Sequence, residues 1–329
     1  MTLCLLMANV PSARNSLKLL SLAIALAVAP SVRADTTAIN PIAGVVTEGT
    51  KVELIKDGFE GTEGPLALPD GSLIFTETRA NRITQIAPDG SVHPFLDNTN
   101  GANGLAFNKQ GEIVAVQVLK PQLGVIYPTN KAKNWVGEFE GKAFQRPNDL
   151  TINKRGGIYF TDIGVVPKEP NGEAARPGVF YLTPDGAIKR VISNIERPNG
   201  VILSADEKTL YVANTAGEYV LAYPVINDGR LGPAREFAKL GGYEKNEQGV
   251  LSSGADGLAI DNRGRLYVAS NLGVQVFDAK GRALGTIALP QKPQNLAFAG
   301  KDKKTLYVVG RGAAYKIAVQ TPGYLGRAK

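Results

Sequence analysis

Six polar residues recur along the chain, each just before a short apolar stretch, at Glu63, Asn103, Asn148, Asn199, Asp256 and Asn295. Successive positions are 40, 45, 51, 57 and 39 residues apart. Their carboxylate and amide oxygens are hard donors. Such donors suit Ca²⁺, which takes roughly six to eight oxygen ligands, or Mg²⁺ or Mn²⁺ with retained waters. The set predicts a divalent-metal site wherever the fold brings these positions together.

The elements that must position these residues follow from a repeated phrase. It consists of a polar residue, a glycine, an apolar strand, a glycine turn and a second apolar strand, and it is clearest at residues 256–270. A period of about 40–50 residues with several short strands per unit is typical of a β-propeller. Six copies predict an all-β, six-bladed β-propeller in which the polar positions converge on the central channel.

A second interpretation of the polar positions stays open at this stage. Asparagine and aspartate side chains also bond to nearby backbone and cap turns, which would give them a purely local role. For Asn103 and Asn295 this interpretation is as good as metal binding. It is weaker for Glu63, because a carboxylate on a crowded axis needs a partner.

The ring must also close. Residues 45–57 alternate as a strand does, whereas the last repeat, from Asn295, runs out of chain before its fourth strand. We therefore predict that the N-terminal strand completes the last blade and so removes two exposed sheet edges. The expected domain organisation is a polar leader at 35–44 and a single propeller domain at 45–329.

The N-terminus has the pattern of a secretory signal peptide. Arg14 and Lys18 precede an apolar run at residues 19–30. The segment Val32-Arg33-Ala34 then places small residues at positions −3 and −1 of a cleavage site after Ala34. The run is too short to span a membrane. We expect residues 1–34 to be a signal that is cleaved, which makes the mature protein periplasmic or secreted with no membrane segment.

Charge and rare residues exclude several classes of function. The net charge of +7 falls to +4 once Arg14, Lys18 and Arg33 are removed, and no basic run remains, so nucleic-acid binding is unsupported. The one cysteine, Cys4, lies in the signal, which excludes disulfides and zinc–thiolate sites from the mature chain. The one histidine, His93, sits beside a turn, so a Ser-His-Asp triad is not expected.

Several segments place the chain within a known family. The motifs are Thr62-Glu63-Gly64-Pro65, Arg146-Pro147-Asn148-Asp149, Arg197-Pro198-Asn199-Gly200 and Asp256-Gly257, in that order. They resemble the SMP-30/gluconolactonase/LRE-like family of six-bladed propellers over nearly the whole mature chain. The resemblance implies a lactone or ester hydrolase with one divalent cation, usually Ca²⁺, and a small-molecule substrate.

The resemblance also implies roles for individual residues. The metal ligands fall on Glu63, Asn199 and Asp256, with Asn148 as a further ligand or substrate contact. Asp256 is the candidate general base as well as a ligand. We predict substrate contacts for Arg146 and Asn103 in addition to Asn148.

The chain departs from the family pattern where substrate is expected. The second blade carries the apolar residues 114–118, and residues 309–313 of the last blade lack the usual small polar side chains. The sequence therefore predicts a substrate less polar than a sugar lactone.

Two alternatives to a lactone hydrolase stay open. They are a non-catalytic extracytoplasmic propeller of the NHL type and a phosphotriester or ester hydrolase. The loops at 163–177 and 240–253 are long enough to act as lids or to be plain surface loops.

Overall fold

Turns with an aspartate or asparagine followed by a glycine separate many of the strands. The computed structural model describes residues 36–164, 177–227, 229–245 and 249–327. In the first predicted turn, the Ser72 amide donates to Asp70 Oδ1 at 2.9 Å, and Gly71 adopts a φ of 92°. This turn joins two apolar strands, as the sequence predicts.

The strands form six antiparallel sheets, the blades, which are numbered in chain order and described from the innermost strand outward. The first three are Thr62–Ala67, Leu73–Glu77, Arg82–Ile86 and Val92–Asp97 (blade 1); Ala102–Phe107, Ile113–Gln117, Gln122–Tyr127 and Lys133–Val136 (blade 2); and Pro147–Ile152, Ile158–Asp162, Gly178–Leu182 and Ile188–Ile192 (blade 3). The others are Pro198–Leu203, Thr209–Asn214, Tyr219–Asn227 and Arg235–Lys239 (blade 4); Leu258–Ile260, Leu266–Ser270, Gly273–Phe277 and Ala283–Ile287 (blade 5); and Asn295–Ala299, Thr305–Gly310, Ala313–Ala318 and Lys51–Lys56 (blade 6).

A few short elements lie outside this pattern. They are the strands Thr36–Ala38, Glu138–Phe139, Lys142–Ala143, Arg230–Leu231, Glu244–Lys245 and Leu251–Ser252, and the 3₁₀ turn Thr129–Lys131. In the part of the chain that the structure describes, no helix is long and apolar enough to cross a membrane.

The hydrophobic core is divided among the six interfaces between neighbouring blades. Along each innermost strand, successive side chains face opposite neighbours, as the two-residue period of a strand requires. Leu66 packs with Leu105 of blade 2, whereas Ala67 packs with Ala297 of blade 6. The innermost strands contact each other around the whole ring, including the first and the last. The all-β, six-bladed propeller is therefore confirmed.

The N-terminal strand closes the ring, as predicted. Lys51–Lys56 pairs antiparallel with Ala313–Ala318, placing Glu53 opposite Lys316 and Leu54 opposite Tyr315. The predicted leader adds to this blade, because Thr36–Ala38 pairs with the same N-terminal strand and Ile42 is buried in the blade 5–6 core.

The two ends of the central channel differ. The innermost strands begin at one end, which we call the mouth, and finish at the far end. At the far end, the C-terminal residues cross the channel, with the Gly323 amide bonded to the Lys303 carbonyl at 2.9 Å and the Tyr324 amide to the Ile260 carbonyl at 3.1 Å. A cavity of about 410 Å³ remains beside this crossing, lined by the last residues of the innermost strands in blades 1–3. The predicted chemistry lies at the mouth instead.

Candidate active site

In four blades, a β-bulge at the mouth interrupts the strand ladder at the polar residue or directly after it. The pairing register of the innermost strand shifts between Glu63 and Leu66 in blade 1 and between Pro198 and Val201 in blade 4. Blades 2 and 3 have the same shift. A bulge bends its strand and re-aims a side chain. In blades 2, 3 and 4 the polar residue lies within the bulge, whereas Glu63 of blade 1 precedes it and still pairs with Thr76.

The glycine that follows the polar residue allows neighbouring blades to approach closely. A Cβ on Gly200 would overlap the carbonyl oxygen of Asp256 in the next blade, and a Cβ on Gly64 would overlap the carbonyl oxygen of Asn103. Only glycine fits such an approach of backbone to backbone. The polar positions of successive blades are therefore in contact around the mouth.

Threonine side chains tie successive polar positions together. Thr76 Oγ1 of blade 1 donates to the Asn103 carbonyl at 3.1 Å, and Thr161 Oγ1 of blade 3 donates to the Asn199 carbonyl at 2.8 Å. In blade 4, Thr215 Oγ1 donates to the carbonyl of Ala255, the residue before Asp256, at 2.7 Å. These bonds fix the backbone, so the polar side chains project from a rigid frame.

Three side-chain oxygens at the mouth lack a donor. Asn103 Oδ1, Asn199 Oδ1 and Asp256 Oδ1 are shielded from solvent and have no hydrogen-bond partner among the described residues. The amide nitrogen of Asn199 donates to Thr215 Oγ1 at 3.1 Å, which holds its carbonyl oxygen in a defined direction. A buried acceptor without a donor is costly unless something electropositive occupies the space beside it. The oxygens fit a hard cation.

Two carboxylates, Asp256 and Glu63, bring negative charge to the mouth. Burial raises the pKa of Asp256 well above its ordinary value, and the negative charges of Glu63 and Asp149 raise it further. Glu63 is 6% exposed, and its Oε2 accepts a hydrogen bond from Asn295 Nδ2 at 3.0 Å. No group of three or more His, Cys, Asp or Glu side chains in the described chain is arranged to hold a metal. A cation here would therefore also need the amide oxygens.

The predicted site residues lie as follows. Glu63, Asn103, Asn148 and Asn199 are buried at the mouth, and Asp256 is half-buried there. Arg146 is exposed on the loop that leads into blade 3, where its backbone amide donates to Asp162 Oδ1 at 2.8 Å. The structure brings all these residues to one end of the channel, while their individual roles stay predictions.

One alignment made from the sequence is wrong. Asn295 does not occupy the polar position of blade 6. The Gln294 amide donates to the Val309 carbonyl at 2.8 Å, as the Asp256 amide of blade 5 donates to the Ala269 carbonyl at 2.9 Å. Gln294 is therefore the equivalent residue, and Asn295 stands where most blades have glycine. Aligning the Leu-Ala pair that follows, rather than the asparagine, would have shown this.

We call the corrected set the polar ring, and its members are Glu63, Asn103, Asn148, Asn199, Asp256 and Gln294. Asp149 is a second residue that the sequence analysis did not single out. It is fully buried at the glycine position of blade 3, and its Oδ2 accepts the Val201 amide of blade 4 at 3.2 Å. The sequence itself shows that Asp149 in blade 3 and Asn295 in blade 6 replace the glycine of the repeated phrase.

Other predicted features lie away from the polar ring. His93 is exposed on the outer strand of blade 1, with its Nε2 2.8 Å from Ser91 Oγ. Most of the 163–177 loop lies outside the described residues. The 240–253 loop contains the short pair Glu244–Lys245 and Leu251–Ser252, and residues 246–248 lie outside the description.

Comparison with known proteins places this geometry in a family. The chain is 29% identical over 301 residues to a gluconolactonase of Zymomonas mobilis, covering 85% of this chain and 84% of the relative. A solved gluconolactonase structure from Xanthomonas campestris matches with 27% identity and a TM-score of 0.74, covering 87% of this chain and 96% of that one. Regucalcin from Agrobacterium tumefaciens shares the fold at 18% identity and a TM-score of 0.66, covering 88% and 99%. The profile of the SMP-30/Gluconolactonase/LRE-like region matches residues 61–311, and the chain belongs to that family.

Proposed function

We propose that this protein is a divalent-metal-dependent hydrolase of lactones. The observation that carries the proposal is the group of three shielded acceptor oxygens on three different blades, Asn103 Oδ1, Asn199 Oδ1 and Asp256 Oδ1. Relatives named gluconolactonase and lactonase, including the Zymomonas mobilis protein, support the reaction type.

The cation would be held by Glu63, Asn148, Asn199 and Asp256, with Asn103 beside them. Two carboxylates and several neutral carbonyls favour Ca²⁺, while Mg²⁺ or Mn²⁺ would need retained waters. The Agrobacterium tumefaciens regucalcin is described as a calcium-binding protein, which agrees with this choice. When bound, such an ion polarises the lactone carbonyl and lowers the pKa of coordinated water.

Asp256 is the proposed general base. In the reaction, a water oxygen bonds to the acyl carbon, the ring C–O bond breaks, and the ring oxygen becomes the hydroxyl of a hydroxy acid. Asp256 accepts a proton from the attacking water and returns it to the departing ring oxygen. A carboxylate held beside the attacking water is suited to this proton transfer.

Residues around Asp256 would orient the substrate. Asn103 and Asn148 present amide groups beside the metal ligands, and Arg146 presents a cation at the mouth. The bond from Thr76 fixes the backbone of Asn103, and the bond to Asp162 fixes the backbone of Arg146, before substrate arrives. Holding the reacting groups in position supplies much of the acceleration when the metal is a weak Lewis acid such as Ca²⁺.

A lactone panel tests the proposal. The protein is stripped with a chelator and assayed for ring opening with neutral and charged lactones before and after Ca²⁺, Mg²⁺ or Mn²⁺ is restored. We expect activity only with a cation, and loss of it by at least about 100-fold in Asp256→Asn. Asp97→Asn, on the outer strand of blade 1, is the matched control. Hydrolysis that survives chelation, or a cation-bound protein that opens no lactone, would contradict the proposal; the second result would favour a non-catalytic binding propeller.

Export is a further part of the proposal. Residues 1–34 have the pattern of a cleaved signal, although they lie outside the described residues. N-terminal sequencing of the protein recovered from the periplasm or medium should begin at Asp35. Recovery of the full-length chain from the cytoplasm alone would contradict this.

A further inference from the structure

A lysine at the mouth takes no part in the proposed ring opening. Lys292 lies in the link between blades 5 and 6, two residues before Gln294, and is half-buried. Its Nζ donates to Asn271 Oδ1. The Asn271 amide group donates in turn to the carbonyls of Gly242 at 2.9 Å and Ser252 at 2.8 Å. A neutral amide thus holds the ammonium group in place, and the carboxylates of Asp256 and Glu244 act on it only at longer range.

Lys292 belongs to a group of cations beside Asp256. The charges of Lys292 and Arg197 are near enough to Asp256 to lower its pKa against the effect of burial. Burial lowers the pKa of Lys292, the charge of Arg311 lowers it further, and Asp256 acts in the opposite direction. Among the ion pairs of the described residues, none involves Lys292, Arg197 or Arg311. Three cations that form no ion pair among the described residues thus lie on the side of the mouth that carries Asp256, with Glu244 as a second carboxylate near Lys292.

The opposite side of the mouth presents apolar side chains next to one lysine, Lys120. Blade 2 lies across a six-membered ring from blade 5, and its mouth loop carries Val118 and Leu119. Leu119 is 62% exposed, and it packs so closely on Gly101 that a Cβ there would lie 2.9 Å from Leu119 Cγ. In the last blade, Arg311 is exposed on the cationic side of the mouth.

We propose that Lys292, with Arg197 and Arg311, forms an anion subsite that selects lactones carrying a carboxylate or another anionic substituent. The inference rests on the proposed function and names the substrate class of that site. The lactone carbonyl would lie at the polar ring, the anionic substituent would face blades 5 and 6, and the rest of the ring would face Leu119. Lys292 is the central member because its ammonium is partly desolvated and held in a fixed position, which strengthens a bond to an anion.

Two lactones of the same ring size test the subsite, one with a carboxylate substituent and one with the corresponding primary amide. We expect the cation-loaded protein to favour the carboxylate lactone in kcat/KM. This preference should fall by about 10-fold to 100-fold in Lys292→Gln, the range for a lost hydrogen bond to a charged group. Lys292→Arg should retain most of the preference, and Lys109→Gln, an exposed lysine at the far end, should retain all of it.

Two results would overturn the subsite. One is equal activity of the wild-type protein on both lactones. The other is a loss in Lys292→Gln that is the same for both, which would mark Lys292 as a structural residue. Calorimetric binding of the two ring-opened hydroxy acids provides a readout independent of hydrolysis, in which Lys292→Gln should weaken the dicarboxylate selectively. A protein that binds the dicarboxylate through Lys292 but opens neither lactone would retain the subsite and contradict the proposed function.

Discussion

The polar ring and the positions that follow it differ in what their side chains bond to. In the polar ring, Asn103, Asn199 and Asp256 each keep a shielded oxygen to which no group of the described chain donates. At the next position, four blades have glycine, whereas blade 3 has Asp149 and blade 6 has Asn295. Both of these side chains bond across an interface between blades. In the repeated sequence motif, the polar position thus forms the candidate site, and the position after it carries the two side chains that bond neighbouring blades together.

Asp149 and Asn295 use the same local geometry on opposite sides of the ring. Asp149 Oδ1 accepts the Leu150 amide at 2.9 Å, and Asn295 Oδ1 accepts the Leu296 amide at 2.9 Å. The second polar atom reaches the neighbouring blade, where Asp149 accepts from Val201 and Asn295 donates to Glu63. The residues that close the ring are therefore distinct from the oxygens that we expect to bind the cation.

Asp149→Ala should produce the largest loss of stability. It removes a fully buried carboxylate and leaves the amides of Leu150 and Val201 without their acceptors. Each unmet buried amide costs about 1–3 kcal/mol, so we expect the free energy of unfolding to fall by about 2–4 kcal/mol. Denaturant unfolding of the chelated protein measures this. Asp149→Asn, which can still accept from Leu150, is the milder control, and wild-type stability in Asp149→Ala would contradict the closure role.

Gly200→Ala should have the next largest effect. The added Cβ overlaps the Asp256 carbonyl oxygen, so the backbone of blade 4 or blade 5 must move, at a cost of about 1–3 kcal/mol. Because Asp256 moves with it, cation affinity should fall as well. Calorimetry measures the affinity, with Gly232→Ala as control because a Cβ there lies 3.3 Å from the nearest atom. Unchanged cation affinity in Gly200→Ala would show that the close approach of blades 4 and 5 does not position Asp256 for the cation.

Asn295→Ala should have the smallest effect of the three. It removes one hydrogen bond to Glu63 at 3.0 Å and one from the Leu296 amide, and a net loss of about 1–2 kcal/mol is expected. The chelated protein should lose this stability, whereas the cation-loaded protein should lose less, because the ion then compensates Glu63. Unfolding experiments with and without Ca²⁺ compare the two. An equal loss in both conditions would show that Asn295 supports the fold without affecting the site.

The sequence predicted the fold well because the information is local. Turn residues, strand alternation and the repeat define six blades, and the missing last strand indicates closure by the N-terminus. It did not reveal that Gln294 is the ring member in blade 6. The alignment followed asparagine, the polar residue of blades 2, 3 and 4, whereas the Leu-Ala pair that blades 5 and 6 share places Gln294 opposite Asp256. The group of cations at the mouth was missed because Lys292, Arg197 and Arg311 meet only in the folded ring.

The pH dependence of the chelated protein follows from Asp256. Its pKa in the folded protein is raised above the ordinary aspartate value of about 3.9, so the folded state binds more protons than the unfolded state between those two values. By linkage, the contribution of Asp256 to stability is fully present below the ordinary pKa and is lost as the pH rises through the folded pKa. Thermal melts of wild type and Asp256→Asn across this range should show the loss as a growing difference between the two proteins. Asp256→Asn should lack this contribution and be the more stable protein above the folded pKa.

The most direct test of the central claim is the melting temperature of wild type and Asp256→Asn, chelated and then loaded with Ca²⁺, Mg²⁺ or Mn²⁺, at about pH 8. A cation bound only by the folded state stabilises it by about 2.7 kcal/mol at a 100-fold excess over its Kd. We expect a clear upward shift in wild type, largest with Ca²⁺, and none in Asp256→Asn. No shift with any of the three ions after effective chelation, or an equal shift in both proteins, would contradict a cation site at the polar ring.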